Sequence, residues 1–439
     1  MSPVSRGRKA KPKTKAKKAN KRAAGRPGTA QRGDVGLLAD AGLSPFALQL
    51  LTEPRRRPQW FDVSIKAILD RAGDVMAAQG PRELEQATAE LVGAELWVIV
   101  RDECYGMWFD WLFEELADGA AARVRQEAER HDGRWEAPWR LLHGLTSIGS
   151  PALRSTAQSA LARAGKGLPA GAAAGQPGWL RQLPRIAATG EVWEMHDAYG
   201  SRFAVIAGFS YPGGTDPSVF LFDIDACGLV TLASAGVFDD VEQAATAWRA
   251  LVGEAGGARP SPVETPDRLV CVVHLDDGEE SLSGSESRAV MDNWFRARRR
   301  HHDLADALRK RGMPLPEAKS LYRDIDIEPM AEAFTGWYAR RHGSKPDPDV
   351  VDAVAEEWLE GTLPGTWHAA SPHRAQFQVD LISDWIPDNP VTVGAKTLLP
   401  EWVRWNGEQS GLPGHLTERA VAAASGGPRS PADGAADCF

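Results

Sequence analysis

Along most of the chain apolar side chains recur three or four positions apart, and only between residues 190 and 275 do they gather into short runs of strand type. From 60 to 79, Phe61, Ile65, Ile68, Leu69 and Met76 lie close to helical spacing, and Gly80-Pro81 closes that helix and opens the next. Ser44-Pro45 and Ser150-Pro151 read as further helix starts, a hydroxyl cap followed by the position where a missing N–H is harmless. Residues 82–130 read as two helices rich in Trp and Leu, and the helix from Ser150 closes at Gly165. Residues 35–165 are therefore expected to form an all-helical domain, followed by a Gly-, Pro- and Ala-rich linker at 166–178.

The texture then changes. Val192 to His196, Phe203 to Phe209, Ser218 to Asp225 and Leu229 to Ala233 are β-rich runs separated by turn-forming breaks. They are too short and too close together for crossovers between parallel strands, so an antiparallel meander is expected. Asp239-Asp240 caps a helix running to about Gly253, with Val241, Ala244, Ala245, Trp248, Leu251 and Val252 as its apolar stripe. That helix should cover a single face of the sheet, the face carrying Phe222 and Ile224, and leave Asp223 and Asp225 on the other. Leu269 to Leu275 could add one further strand, completing an α+β module over 179–276. From Ser285 the pattern is helical again, with starts at Asp347-Pro348 and Ser371-Pro372 and a last helix ending near Ala424. The fold class is thus α+β and mainly α-helical: an N-terminal helical domain, a central antiparallel sheet with one packed helix, and a helical C-terminal region over 277–424. Residues 425–439 are expected to fray.

Charge changes the picture at the N-terminus. The chain has 51 basic and 59 acidic residues, a net charge of −8. Twelve of the basic residues and no acid lie in residues 1–33, which leaves 39 basic against 59 acidic residues elsewhere, a balance of −20. From Lys9 to Lys17 every second residue is Lys, with no apolar face at any period, so residues 1–34 are expected to be a disordered basic tail. Cations on a flexible chain neutralise phosphates and release counterions without any fixed geometry. The expected nucleic-acid contacts are Arg6, Arg8, Lys9, Lys11, Lys13, Lys15, Lys17, Lys18, Lys21, Arg22 and Arg26. Arg6-Gly-Arg8 and Gly25-Arg26-Pro27 are each half of a minor-groove hook, so salt-dependent binding without sequence preference is expected. A second basic cluster runs from Arg296 through Arg298, Arg299 and Arg300 to Arg311 on a helix whose core face holds Met291, Trp294, Phe295, Leu304 and Leu308. Arg298, Arg299 and Arg300 could face phosphates or pair with the body's own acids.

Other chemistry is sparse. Asp223 and Asp225 alternate along one strand, and Glu194 and His196 along another. If the two strands present them to one side, Asp223, Asp225 and His196 could gather as a metal-dependent hydrolytic site. A solvated sheet surface reads identically in sequence. Cys104, Cys227, Cys271 and Cys438 are scattered and form no CxxC pair, which fits a reducing cytoplasm; neither a metal nor a cofactor is expected. His302 and Asp306 have helical ligand spacing but no third partner. The 16 tryptophans are expected in cores. No apolar run is long enough to span a bilayer, so no membrane contact is expected.

Gly190-Glu-Val-Trp-Glu-Met-His-Asp-Ala-Tyr-Gly200 and Leu398-Leu-Pro-Glu-Trp-Val-Arg-Trp405 resemble uncharacterised conserved proteins of actinobacteria, a resemblance that carries no activity with it. The expectation is a non-enzymatic adaptor or regulator anchored on nucleic acid by its tail, with a body that meets other proteins. The alternatives are a hydrolase using the sheet carboxylates, or a scaffold whose tail is incidental.

Overall fold

A computed structural model of the chain describes residues 58–427 except 103–107, 131–132, 170, 213–216, 228–229, 264–268, 270–286, 314, 316–325, 361 and 364. The tail, the helix start at Ser44-Pro45, the run 270–275 and the last residues of the chain lie outside the described residues. Helices α1 (Gln59–Asp70), α2 (Pro81–Asp102), α3 (Phe109–Ala128), α4 (Glu136–Ile148) and α5 (Pro151–Gly165) come first. Strands β1 (Ala187–His196), β2 (Arg202–Ser210), β3 (Pro217–Asp225) and β4 (Thr231–Phe238) follow, then α6 (Val241–Val252) and the short β5 (Ser261–Pro262). The chain closes with α7 (Arg288–Lys310), α8 (Glu328–His342), α9 (Pro348–Leu359), α10 (Pro372–Ser383), α11 (Pro390–Gln409) and α12 (Gly414–Ala424). The protein is mainly helical α+β, and no described helix is long and apolar enough to cross a membrane.

Local chemistry sets most of these boundaries. Asp240 accepts from the Gln243 N–H at 2.8 Å, Ser287 from Val290 at 3.1 Å and Ser371 from Arg374 at 3.1 Å, each satisfying an orphan donor of the first turn. At α5 the proline alone starts the helix, since the Ser150 hydroxyl makes no capping bond. The sheet runs in the order β4-β3-β2-β1-β5, antiparallel throughout, as the short breaks require.

The face assignment differs from the sequence expectation. The row Met195–Ala204–Asp223–Ser234 points one way and the row His196–Phe203–Ile224–Leu232 the other. Helix α6 lies over the first: Ala244, Ala245, Trp248 and Val252 pack with Met195, Ala204, Ile206, Val219 and Leu221. The face with Phe222 and Ile224 is buried instead in the large core built from α1–α5 and α7. Size explains the choice. Phe203, Phe209, Phe220 and Phe222 share that face, each worth about 2–3 kcal/mol when fully buried, and they need a deeper layer than the mostly small stripe of α6 provides.

Both faces are therefore covered, and β2 and β3 are buried almost end to end. The helices of 59–165 and the sheet share one core, into which Leu180 and Leu183 just past the linker are drawn. Helices α8–α12 build a second core around Phe334, Trp358, Trp402 and Trp405, with the Phe334 and Trp402 rings 4.8 Å apart. Leu412 and Leu416 at the start of α12 reach under α6 and the sheet. That contact makes a seam between the sheet and the C-terminal helices.

Candidate functional site

Arg298, Arg299 and Arg300 do not present a basic surface. Arg300 is 1% exposed and donates to both Glu85 oxygens at 2.5 and 2.7 Å, with its guanidinium 4.7 Å from the Phe209 ring centre. Tyr211 donates to the same carboxylate. Arg299 pairs with Asp303 at 2.8 Å and Arg298 with Asp110 at 2.6 Å. Arg296, equally buried, donates to Gln86 and Asn293 at 2.7 and 2.8 Å. The expectation of phosphate contact through Arg298, Arg299 and Arg300 is corrected accordingly. The helix meets apolar surface on more than its predicted stripe, so its arginines are drawn inside with acids from the same body.

The carboxylates of the sheet also fall differently. Asp223 lies beneath α6, fully buried, and accepts from Arg202 Nε and Nη2 at 2.9 and 2.5 Å and from Trp248 Nε1 at 2.9 Å. The Arg202 guanidinium is held charged by Asp223, against the burial that opposes its charge. His196 points to the opposite face, pairs in register with Phe203 and is exposed, so it does not join Asp223 or Asp225. The gathering of Asp223, Asp225 and His196 fails because β1 and β2 are in antiparallel register through His196 and Phe203. That register sets His196 in the row of Ile224, one residue out of phase with both aspartates.

Asp225 finds another imidazole. At the C-terminal end of β3 it meets the N-terminus of α10, where His373 Nδ1 lies 2.9 Å from Asp225 Oδ2. Beside them sits Cys227, whose N–H donates to Asp225 Oδ1 at 2.8 Å in an Asx-type turn and whose Sγ lies 3.1 Å from Ser371 Oγ. One donor atom from each of Asp225, Cys227 and His373 fits within 4.8 Å of the others. Burial pushes the Cys227 thiol up, as does the neighbouring Asp225 carboxylate. Burial would also raise Asp225, but the His373 imidazolium outweighs it and holds the carboxyl well below its usual range. Burial works against the proton on His373, yet Asp225 retains it and raises the imidazole to about 11.

Neighbouring residues hold this arrangement in place. Arg374, 0% exposed, donates to the carbonyls of Thr366, Ala369 and Trp358 at 2.6, 2.9 and 2.6 Å and stacks on the Trp358 ring, which fixes where α10 begins. Asp197, in the β1–β2 turn, accepts from the Ser201 and Arg202 N–H groups at 2.9 and 3.2 Å; its burial pushes its carboxyl up to about 7. Asp197, Tyr199, Arg202, Asp225, Cys227 and His373 line a cavity of about 30 Å³, room for a water molecule.

A larger cleft of about 420 Å³ lies between α4, α5 and residues 176–181, lined mostly by apolar side chains. Its buried His143 is kept neutral, pushed down to about 4 by burial, and bonds to the Leu180 backbone.

Sequence reasoning found Asp225 and missed Cys227 and His373. Asp225-x-Cys227 directly after a strand is a readable pair, whereas Cys227 and Ser371 are 144 positions apart in sequence and only the seam unites them. Comparison with family models, curated proteins and solved structures finds no match to this chain.

Proposed function

We propose that the protein associates with nucleic acid, without sequence preference, through its basic N-terminal tail, and that the acidic body acts as an adaptor or regulator for other proteins. The observation that carries this reading is the division of charge: twelve cations and no acid in residues 1–33, against a balance of −20 in the remainder. The fate of the internal arginines supports it. Arg298, Arg299 and Arg300 are engaged by Asp110, Asp303 and Glu85, so they offer phosphates no competing surface. An acidic body repels a polyanion, which confines contact to the tail and keeps the footprint short.

Full-length protein is titrated with duplex DNA and with RNA over a series of salt concentrations, beside a chain beginning at Gly36. The expected slope of log affinity against log salt on duplex DNA is about −0.9 per phosphate neutralised, and the shortened chain should lose binding. Equal binding by the two chains would overturn the reading.

A further inference from the structure

We propose that Asp225, Cys227 and His373 form a binding site for a divalent transition-metal ion of the zinc class, three protein ligands with a fourth position open to the adjoining cavity. This inference does not depend on the tail.

The donor set fits that ion once its protons are displaced: binding releases the Cys227 thiol proton and the proton His373 holds against Asp225 to solvent, so affinity should rise with pH. A carboxylate oxygen, a thiolate and an imidazole nitrogen are the three ligand types zinc takes, at bond lengths of about 2.0–2.3 Å. Tetrahedral geometry at those lengths places ligand atoms about 3.3–3.8 Å apart. Here the oxygen and nitrogen are 2.9 Å apart, and all three donors lie within 4.8 Å of one another. Shifts of under an ångström bring them into range. A hard cation such as magnesium would avoid the sulfur, and a soft ion would gain nothing from the carboxylate.

The frame is rigid where it needs to be. Asp225 and Cys227 are tied to each other by the Cys227 N–H bond to Asp225 Oδ1, and the Ala226 N–H donates to the Ser201 carbonyl at 2.8 Å. His373 rides on the first turn of α10, capped by Ser371 and anchored through Arg374. Such outer contacts orient metal ligands. The structure also shows where a fourth ligand would sit. The cavity of about 30 Å³ borders all three donors and takes a water molecule, the arrangement of an open rather than a closed site. A bound ion would join the end of β3 to α10 across the seam.

The test uses the full chain, stripped with a chelator and titrated with cobalt(II) as a spectroscopic stand-in for zinc. One cobalt per chain is expected, with a thiolate-to-cobalt charge-transfer band in the near ultraviolet and visible bands of a four-coordinate ion. Cys227→Ser should abolish the charge-transfer band and weaken zinc binding by at least about tenfold. The triple variant Cys104→Ser, Cys271→Ser, Cys438→Ser, which keeps Cys227 alone, should retain the band. His373→Gln should lose binding while Asp225→Asn weakens it. Should any single variant fail to fold, the chain with Cys227 as its sole cysteine still decides. The absence of a thiolate band there, or its persistence in Cys227→Ser, would leave Asp225–His373 a plain ion pair across the seam and overturn the proposal.

Discussion

The two faces of the sheet bury charge in different ways. On the aromatic face the Glu85 carboxylate of α2 meets Arg300 of α7 and the Tyr211 hydroxyl between two helices and the end of a strand, with Asp303 3.6 Å from the same guanidinium. On the α6 face the carboxylates belong to the sheet itself: Asp223 answers Arg202 and Trp248, and Asp225 answers His373. Two histidines follow the same division. His143, in the body that backs the aromatic face, is neutral because burial outweighs its bond to the Leu180 backbone and no carboxylate among the described residues faces it; His373 is charged because Asp225 offsets its burial. The aromatic face uses charge to lock helices onto an apolar layer. The other collects polar groups around a small cavity.

The largest effect should come from the sealed side. Glu85→Ala leaves Arg300 buried with only the longer Asp303 contact at 3.6 Å and takes the acceptor from Tyr211, and stability measured by urea unfolding should fall by about 4 kcal/mol. A loss below about 1 kcal/mol would mean that water reaches Arg300, and the contrast between the faces would dissolve.

The neutral histidine gives the next effect. The folded His143 pKa of about 4 lies below the ordinary 6.5, so the unfolded chain binds more protons between those values. Stability should therefore fall by about 3 kcal/mol from this group as pH drops from 6.5 to 4, with no contribution above 6.5. The measurement is the difference in urea unfolding between the parent and His143→Gln at pH 7 and pH 4.5. Parallel curves would show that His143 takes up its proton in the fold as readily as in the unfolded chain.

The smallest effect belongs to the wetter side. Asp223→Asn keeps an acceptor for Trp248 but removes the charge opposite Arg202, whose side chain is 12% exposed and can recruit water. A loss of about 2 kcal/mol is expected. A loss equal to that of Glu85→Ala would make the two faces electrostatically alike.

How much of this was readable follows from how local each cause is. The start of α5 at Pro151, the Asp240 cap of α6 and the Ser371 cap of α10 depend on three or four adjacent residues, and they fall where the sequence places them. Strands β2 and β3 lie within a residue or so of their expected limits, whereas β1 begins at Ala187, five residues earlier, β4 runs on to Phe238, where α7 packs beside it, and β5 pairs at Ser261–Pro262, outside the expected run 269–275. The covered face was not legible by alternation. Phe203 to Phe209 and Val219 to Phe222 are apolar almost without interruption, and that continuity was the sign of a sheet buried on both sides. The pairing of Asp225 with His373 and the inward turn of Arg300 depend on contacts between distant segments. No period or spacing records them.

The rim of the sheet carries a consequence for association. A strand with unpaired backbone groups invites a neighbouring chain to add its own strand, the first step toward fibrils. Among the described residues, the β1 side carries Ser261–Pro262, paired with Glu194 and Trp193, and Pro262 has no N–H to offer a newcomer. On the β4 side the Asn293 amide of α7 takes the Ala235 carbonyl at 2.8 Å, where an incoming strand would have to bond. At these described positions, a residue that cannot donate and a side-chain amide that occupies an acceptor each oppose the addition of a further strand.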